Sequence, residues 1–230
     1  MQAYATSVHA LINLGRADEA ETLVRELECA VPDTLDSQLM MVECRSAATK
    51  QTRTPAGLWE VVEPLIPLVK YASDPVTACV FLELAAGLAV LRAEYEQAFT
   101  LTTDAVQICE TFRLGPVKTA FTLGWHAAAA IGLRRFVDAE AAIRTIRDSA
   151  TRRTKHVVLD EAVLRAKLAL ARGRARAVVE QRSLLDEIGL PEPLQSEFRG
   201  LVAIAAASLG ELGARPPESP TPANGEGPEG

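Results

Sequence analysis

A short pattern recurs along this chain about every 40 residues, and the recurrence limits its fold more than any other feature. Leu14-Gly15-Arg16-Ala17-Asp18-Glu19-Ala20 resembles Leu91-Arg92-Ala93-Glu94-Tyr95-Glu96-Gln97-Ala98, and both resemble Arg134-Arg135-Phe136-Val137-Asp138-Ala139. Each places a residue able to pack (Ala17, Tyr95, Phe136) three positions before a small alanine (Ala20, Ala98, Ala139). The alanine lets two helices approach closely, and the residue before it plugs the turn between them. Ala20 to Ala98 is 78 residues, two units of 39, and Ala98 to Ala139 is 41. Val61 fills the register between the first two, and Val178 follows Ala139 by 39. Self-similarity at this period marks a stack of helix pairs, each burying its apolar face only against its neighbours.

The residues between the turns carry helical periodicity. Tyr4, Val8, Leu11 and Ile12 form one apolar stripe, and Ala20, Leu23, Val24, Leu27 and Val31 form the next after a break at Gly15. Similar stripes run through Leu58–Val69, Ala98–Phe112, Phe136–Ala150, Leu159–Leu170 and Leu194–Leu212. Val117, Phe121, Trp125 and Ala128 make another, expected to face the core. No comparable stretch alternates with period two. Apolar residues are 48% of the chain but aromatics only 5%, so Ala, Leu and Val supply the apolar content, which suits closely packed helices.

Thr54-Pro55 and Asp74-Pro75 each set a capping oxygen before a proline at a first helical position. Gly115-Pro116 marks a further boundary, and Gly173 and Gly189 interrupt later segments. Pro64 and Pro67 sit inside the Leu58–Val69 stripe, where an interior proline removes a backbone bond, so a kink or split is expected near Glu63. The expected fold is all-α: a tetratricopeptide-like α-solenoid of about five antiparallel helix pairs plus a capping helix over residues 1–212. Residues 213–230 hold five prolines and four glycines, too little apolar content to offset ordering, and read as a disordered tail that can be removed without loss of fold.

No apolar run approaches the roughly 20 residues that span a bilayer, and no basic segment followed by an apolar one opens the chain. Cys29, Cys44, Cys79 and Cys109 are scattered with no C-x-x-C pair, which disfavours a zinc site or a disulfide framework. They read as reduced thiols packed in a core, and the protein as cytoplasmic, with no membrane partner.

Leu14–Ala20 followed by Pro32 resembles the second half of a tetratricopeptide repeat, with Tyr4 in place of the usual tryptophan and a spacing longer than the usual 34. That spacing, with Leu168-Ala169-Leu170-Ala171-Arg172-Gly173 and with Leu190-Pro191-Glu192-Pro193-Leu194 before an alanine-rich helix, is similar to one family's sensor region. The family is the large ATP-binding LuxR-type (MalT-like) transcription regulators, in which an NTPase domain precedes the repeats and a helix-turn-helix follows them. The resemblance implies transcription regulation and signal transduction through repeats that bind an inducer or protein partner. Nothing here matches G-x-x-x-x-G-K-[ST], and no DNA-reading module follows Gly213, so the expectation is a sensor region without those domains.

There is no G-x-S-x-G elbow and no H-E-x-x-H pair, and His9, His126 and His156 stand far apart, so no catalysis and no cofactor are expected. His156 and Asp160, at i and i+4, would serve a hydrolase only if they formed a base; the simpler reading is a surface pair. Net charge is −6 and uneven: residues 1–133 carry 9 basic and 16 acidic side chains, 134–182 carry 13 and 6, and 183–230 carry 2 and 8. The basic block makes a nucleic-acid-binding protein the alternative function. Its cations spread over several helices among acids and with few aromatics, which favours a solvated face complementary to the acidic half of another copy and makes direct DNA binding the weaker reading. In tetratricopeptide-like stacks the first helix of each pair lines a concave groove for peptides or small effectors. The resemblance places His9, Asn13, Glu83, Gly87, Gly124, Asp160 and Lys167 on it.

Overall fold

The computed structural model describes residues 2–49, 54–149, 155–182 and 192–210. The side chains of Tyr4, Asn13 and His156 lie outside the description, as do Gly189, Leu212 and the 213–230 segment. The elements in chain order are α1 (Gln2–Asn13), α2 (Ala17–Ala30), α3 (Leu35–Thr49), α4 (Pro55–Val62), a 3-10 segment (Glu63–Tyr71), α5 (Pro75–Leu91) and α6 (Tyr95–Phe112). Then come α7 (Pro116–Gly132), α8 (Phe136–Asp148), α9 (Lys155–Ala171), α10 (Ala175–Val179), a short 3-10 turn (Glu180–Arg182) and α11 (Glu192–Ser208). The protein is all-helical, with no strand among the described residues.

Local chemistry sets the boundaries. Thr54 Oγ1 accepts from the Gly57 amide at 3.2 Å, and Asp74 accepts from the Val76 and Thr77 amides, with Pro55 and Pro75 opening α4 and α5. Gly115, at φ 91°, precedes Pro116 at the start of α7. The proline-bearing stripe splits as its sequence implies: α4 stops at Val62, and Glu63–Tyr71, with Pro67 inside, winds as the tighter 3-10 form.

The recurring turn has one geometry four times. Gly15, Ala93, Arg134 and Gly173 take left-handed φ values of 73°, 60°, 58° and 72°. The amide after each reaches five residues back, as Arg16 to Leu11 at 2.9 Å, Glu94 to Ala89 at 2.9 Å, Arg135 to Ala130 at 2.8 Å and Arg174 to Ala169 at 2.8 Å. The left-handed residue's own amide reaches three back, to Ile12, Val90, Ile131 and Leu170. These bonds satisfy carbonyls that a helix end leaves open. Four residues beyond the N-cap, Ala20, Ala98, Ala139 and Val178 are each fully buried, so the alanine register of the sequence is a packing register. The second unit departs from the expectation. Val61 is 39% exposed, and Leu58, four residues after its N-cap Thr54, is the buried one. The split of the proline-bearing segment puts Leu58, Trp59 and Val62 on the inner face of α4 and Val61 outside.

Two compact units are separable, Met1–Leu168 and Ala169–Gly230, the division falling inside α9. Within the first, α1 packs on α2 and α3, α3 on α5, α5 on α6 and α7, and α7 on α8. Three apolar clusters follow one another along the chain: Val8, Val24, Leu27 and Met40 on α1–α3; Trp59, Phe81, Leu82 and Leu101 around α5; and Ala127, Ile143, Ile146 and Leu164 on α7–α9. In the second, α10 packs on α11, and Val178, Phe198 and Ala205 are buried.

Helix α7 reverses one expectation. Its stripe Val117, Phe121 and Trp125 is 42%, 40% and 38% exposed, while Ala120, Thr122, Ala127, Ala129 and Ala130 are buried. Spacing of four marks a stripe without saying which way it faces. Here the alanines take the tight helix contacts, and the large side chains are left outside.

The plug residue Tyr95 packs across onto α7: a methyl at Gly132 would lie 2.3 Å from its Cδ1. Glycine-to-alanine ordinarily favours a helix by about 1 kcal/mol. At Gly132 the expected result is the opposite, a loss of about 1–3 kcal/mol from overpacking. Urea denaturation of Gly132→Ala checks this, and unchanged or raised stability would mean the tyrosine ring swings free.

Candidate binding face

Three of the seven residues expected on the groove come together. His9 from α1 and Glu83 and Gly87 from α5 line one cavity of about 370 Å3, with Glu43 from α3, Leu88 from α5 and Trp125 from α7. Asn13 is the last residue of α1, its side chain outside the description. Gly124 does not line the cavity; a methyl there would meet Leu164 Cδ1 of α9 at 4.0 Å, an ordinary contact, so the position faces α9. Asp160 and Lys167 are half-buried on α9 and lie outside the cavity lining. A larger hollow of about 660 Å3 lies between the 3-10 segment and α6, away from every expected residue.

The floor of the cavity follows from small residues. Gly87 lets the Trp125 ring lie against α5, where a methyl would sit 3.1 Å from Cζ2. The indole therefore bridges α5 and α7 and is still partly exposed at the cavity wall.

Two carboxylates flank this apolar floor. Glu83 is fully engaged: Lys118 Nζ pairs with Oε2, and the Thr122 hydroxyl donates to Oε1. Beneath it Cys79 and Cys109 bring their Sγ atoms to 3.4 Å, with Thr122 Oγ1 3.4 Å from Cys109. The contact with Cys109, burial and the Glu83 carboxylate together hold the Cys79 thiol protonated, far above the ordinary thiol range. Glu43 meets His9 Nε2 through Oε1, and its carboxylate also accepts a hydrogen bond from the Cys44 thiol. Burial first, and the Glu43 charge second, push the neighbouring Cys44 thiol up to about 12. Cys44, Cys79 and Cys109 are buried as expected of core thiols, whereas Cys29 is exposed.

Sequence reasoning missed Glu43, Lys118, Thr122 and Trp125. A signal existed for the first. Glu43 lies eleven residues before the N-cap Thr54, and Glu83 eleven before the N-cap Glu94, so the two glutamates are equivalent positions of successive units.

His126 takes no part in the cavity. Its Nδ1 lies 3.0 Å from Thr102 Oγ1 and its ring 4.3 Å from that of Phe99. Burial, aided by Arg135 and opposed by Asp138, holds it neutral below the ordinary 6.5. The unfolded chain then takes a proton that the folded one refuses. This share of stability is complete above about pH 6.5 and is lost as pH falls toward the lower folded value. The gap in thermal midpoint between wild type and His126→Leu is expected to narrow from pH 7 to pH 5, and a pH-independent gap would refute the assignment.

No described helix is long and apolar enough to cross a membrane. No protein-family model, no curated protein and no solved structure matches the chain.

Proposed function

We propose that the chain is a non-catalytic helical-repeat interaction module, a tetratricopeptide-like solenoid whose first-helix face binds an amphipathic segment of a protein partner. The observation that carries this is the outward stripe of Val117, Phe121 and Trp125, ending on a cavity walled by α1, α3 and α5. Apolar side chains left in water at helical spacing, next to a hollow, are what an amphipathic partner needs. Support for the solenoid comes from the turn repeated at residues 15, 93, 134 and 173 and from contacts between successive first helices α1, α3, α5 and α7. The sensor region of MalT-like regulators is the family reading we retain, with a cytoplasmic location.

Nucleic acid is the less favoured partner, because several cations of the basic block are already engaged. Arg135 stacks 4.0 Å over Phe99 and pairs with Asp138, Arg147 pairs with Asp148, and Arg165 with Glu161.

The test is selection of random twelve-residue peptides displayed on phage, against wild type and against Phe121→Ser/Trp125→Ser. Sequences enriched by wild type and lost with the double variant are expected. Enrichment indifferent to the two substitutions, or none at all, would sink the reading.

A further inference from the structure

Two thiols meet beneath Glu83 that neither the turn register nor the binding face requires. Cys79 lies near the start of α5 and Cys109 near the end of α6, so they face each other at the open end of the helix pair joined by the Ala93 turn. Cys79 is wholly buried and Cys109 is 2% exposed, and their Sγ atoms stand 3.4 Å apart. A thiol that only filled space would sit as well among apolar neighbours. This pair has polar company instead. Thr122 Oγ1 lies 3.6 Å from Cys79 and 3.4 Å from Cys109, and Glu83 Oε1, on a carboxylate paired with Lys118, lies 3.9 Å from Cys79. The Cys79 S–H donates to the Cys109 sulfur and draws Cys109 below the ordinary thiol range, against the opposing pull of burial. Cys109 is therefore the sulfur that gives up its proton first, and the thiolate is the reactive form.

We propose that Cys79 and Cys109 are a modification site, closing to a reversible disulfide when a small hydroperoxide reaches them. This stands apart from the groove reading and does not depend on it. The Cys109 thiolate attacks one oxygen of the hydroperoxide and the O–O bond breaks. Cys109 becomes a sulfenic acid, and the other oxygen leaves as water or an alcohol with the proton Cys109 gave up. The Cys79 sulfur then attacks the sulfenic sulfur, its S–H proton joins the departing hydroxyl, and water leaves as the S–S bond forms. Two electrons have passed from the two sulfurs to the hydroperoxide. An S–S bond is about 2.05 Å long, and rotation about χ1 of the two cysteines takes up the remaining gap. Ala78 and Ile108, the chain neighbours of the two cysteines, line the hollow of about 660 Å3 beside α6, which brings a molecule the size of hydrogen peroxide close to the pair. Exchange with a small dithiol reopens the bond.

The experiment takes the whole chain, reduced and then freed of reductant, and treats it with one equivalent of hydrogen peroxide under native conditions. It is then denatured, alkylated and digested with trypsin for mass spectrometry. Peptides 71–92 and 93–113 carry Cys79 and Cys109. They are expected to appear joined, two hydrogens lighter than their sum, and to separate again with dithiothreitol. Free thiols are expected to fall from four per chain to two, with Cys29 and Cys44 still alkylated. Cys109→Ser is expected to abolish the joined peptides. Cys29→Ser/Cys44→Ala keeps the pair as the chain's remaining thiols and is expected to retain them, which decides the matter alone if Cys109→Ser does not fold. Four free thiols after peroxide overturn the proposal. So does a Cys109 carried on to sulfinic acid while Cys79 stays free, a link running only between chains through Cys29, or joined peptides that form only in denaturant.

Discussion

Removing residues 98–138 from a Glu83→Gln background, so that Gln97 joins Ala139, is expected to leave a helical, soluble chain that melts cooperatively at a lower temperature. The cut falls at matching positions of two turns, so the first residues of α6 continue directly into the body of α8 in the same helical phase. Stability in a repeat stack is close to a sum of local and nearest-neighbour terms, so losing one unit subtracts without dissolving the rest. The Glu83→Gln background matters because the deletion also takes away Lys118 and Thr122, the two partners of Glu83. Removing one partner of a buried pair costs about 3–5 kcal/mol through the stranded charge, which would be mistaken for loss of architecture. In a closed bundle the same deletion would remove two walls of one core. Circular dichroism separates the cases: a largely disordered spectrum would refute the solenoid, and the groove with it.

Ala139→Trp is expected to lower stability by about 3 kcal/mol, since a large ring inserted at a tight helix contact forces off-rotamer side chains and backbone shifts. Ala139 is fully buried one turn into α8, with Ala142, Ile143 and Ile146 completing the same face. Its neighbour Asp138 gives the control. That carboxylate forms an exposed pair with Arg135, Nε to Oδ2 2.6 Å, worth about 0.5 kcal/mol or less. Denaturant unfolding of Ala139→Trp and Asp138→Asn reads both. Equal losses would show that the alanine register does not mark the contact within a helix pair.

The all-helical class, the proline split at Glu63, the caps at Thr54 and Asp74 and the breaks at Gly15 and Gly173 were legible because each follows from backbone chemistry local to a few residues. The orientation of α7 was not. Val117, Phe121 and Trp125 have the spacing of a core stripe, and only the alanines on the other side of the helix, with partners on other helices, decide which stripe goes in. Val61 fails for a related reason: arithmetic on a period of 39 ignores the irregular proline segment, while counting from the N-cap finds Leu58. Of the cavity lining, His9, Glu83 and Gly87 had been singled out by register, whereas Lys118 and Thr122 reach Glu83 from a different helix and leave no mark at its spacing.

The four turns at Gly15, Ala93, Arg134 and Gly173 are closed by main-chain amides and carbonyls alone. Nothing in that closure reads the side chain, beyond a strain of about 1–2 kcal/mol where the residue is not glycine. Glycine, alanine and arginine all occupy the site in this one chain. Replacing glycine there is therefore expected to cost that strain while leaving the main-chain bonds that close the turn in place. A repeat whose fixed points are backbone bonds and one small buried residue leaves little for comparison by residue identity to hold.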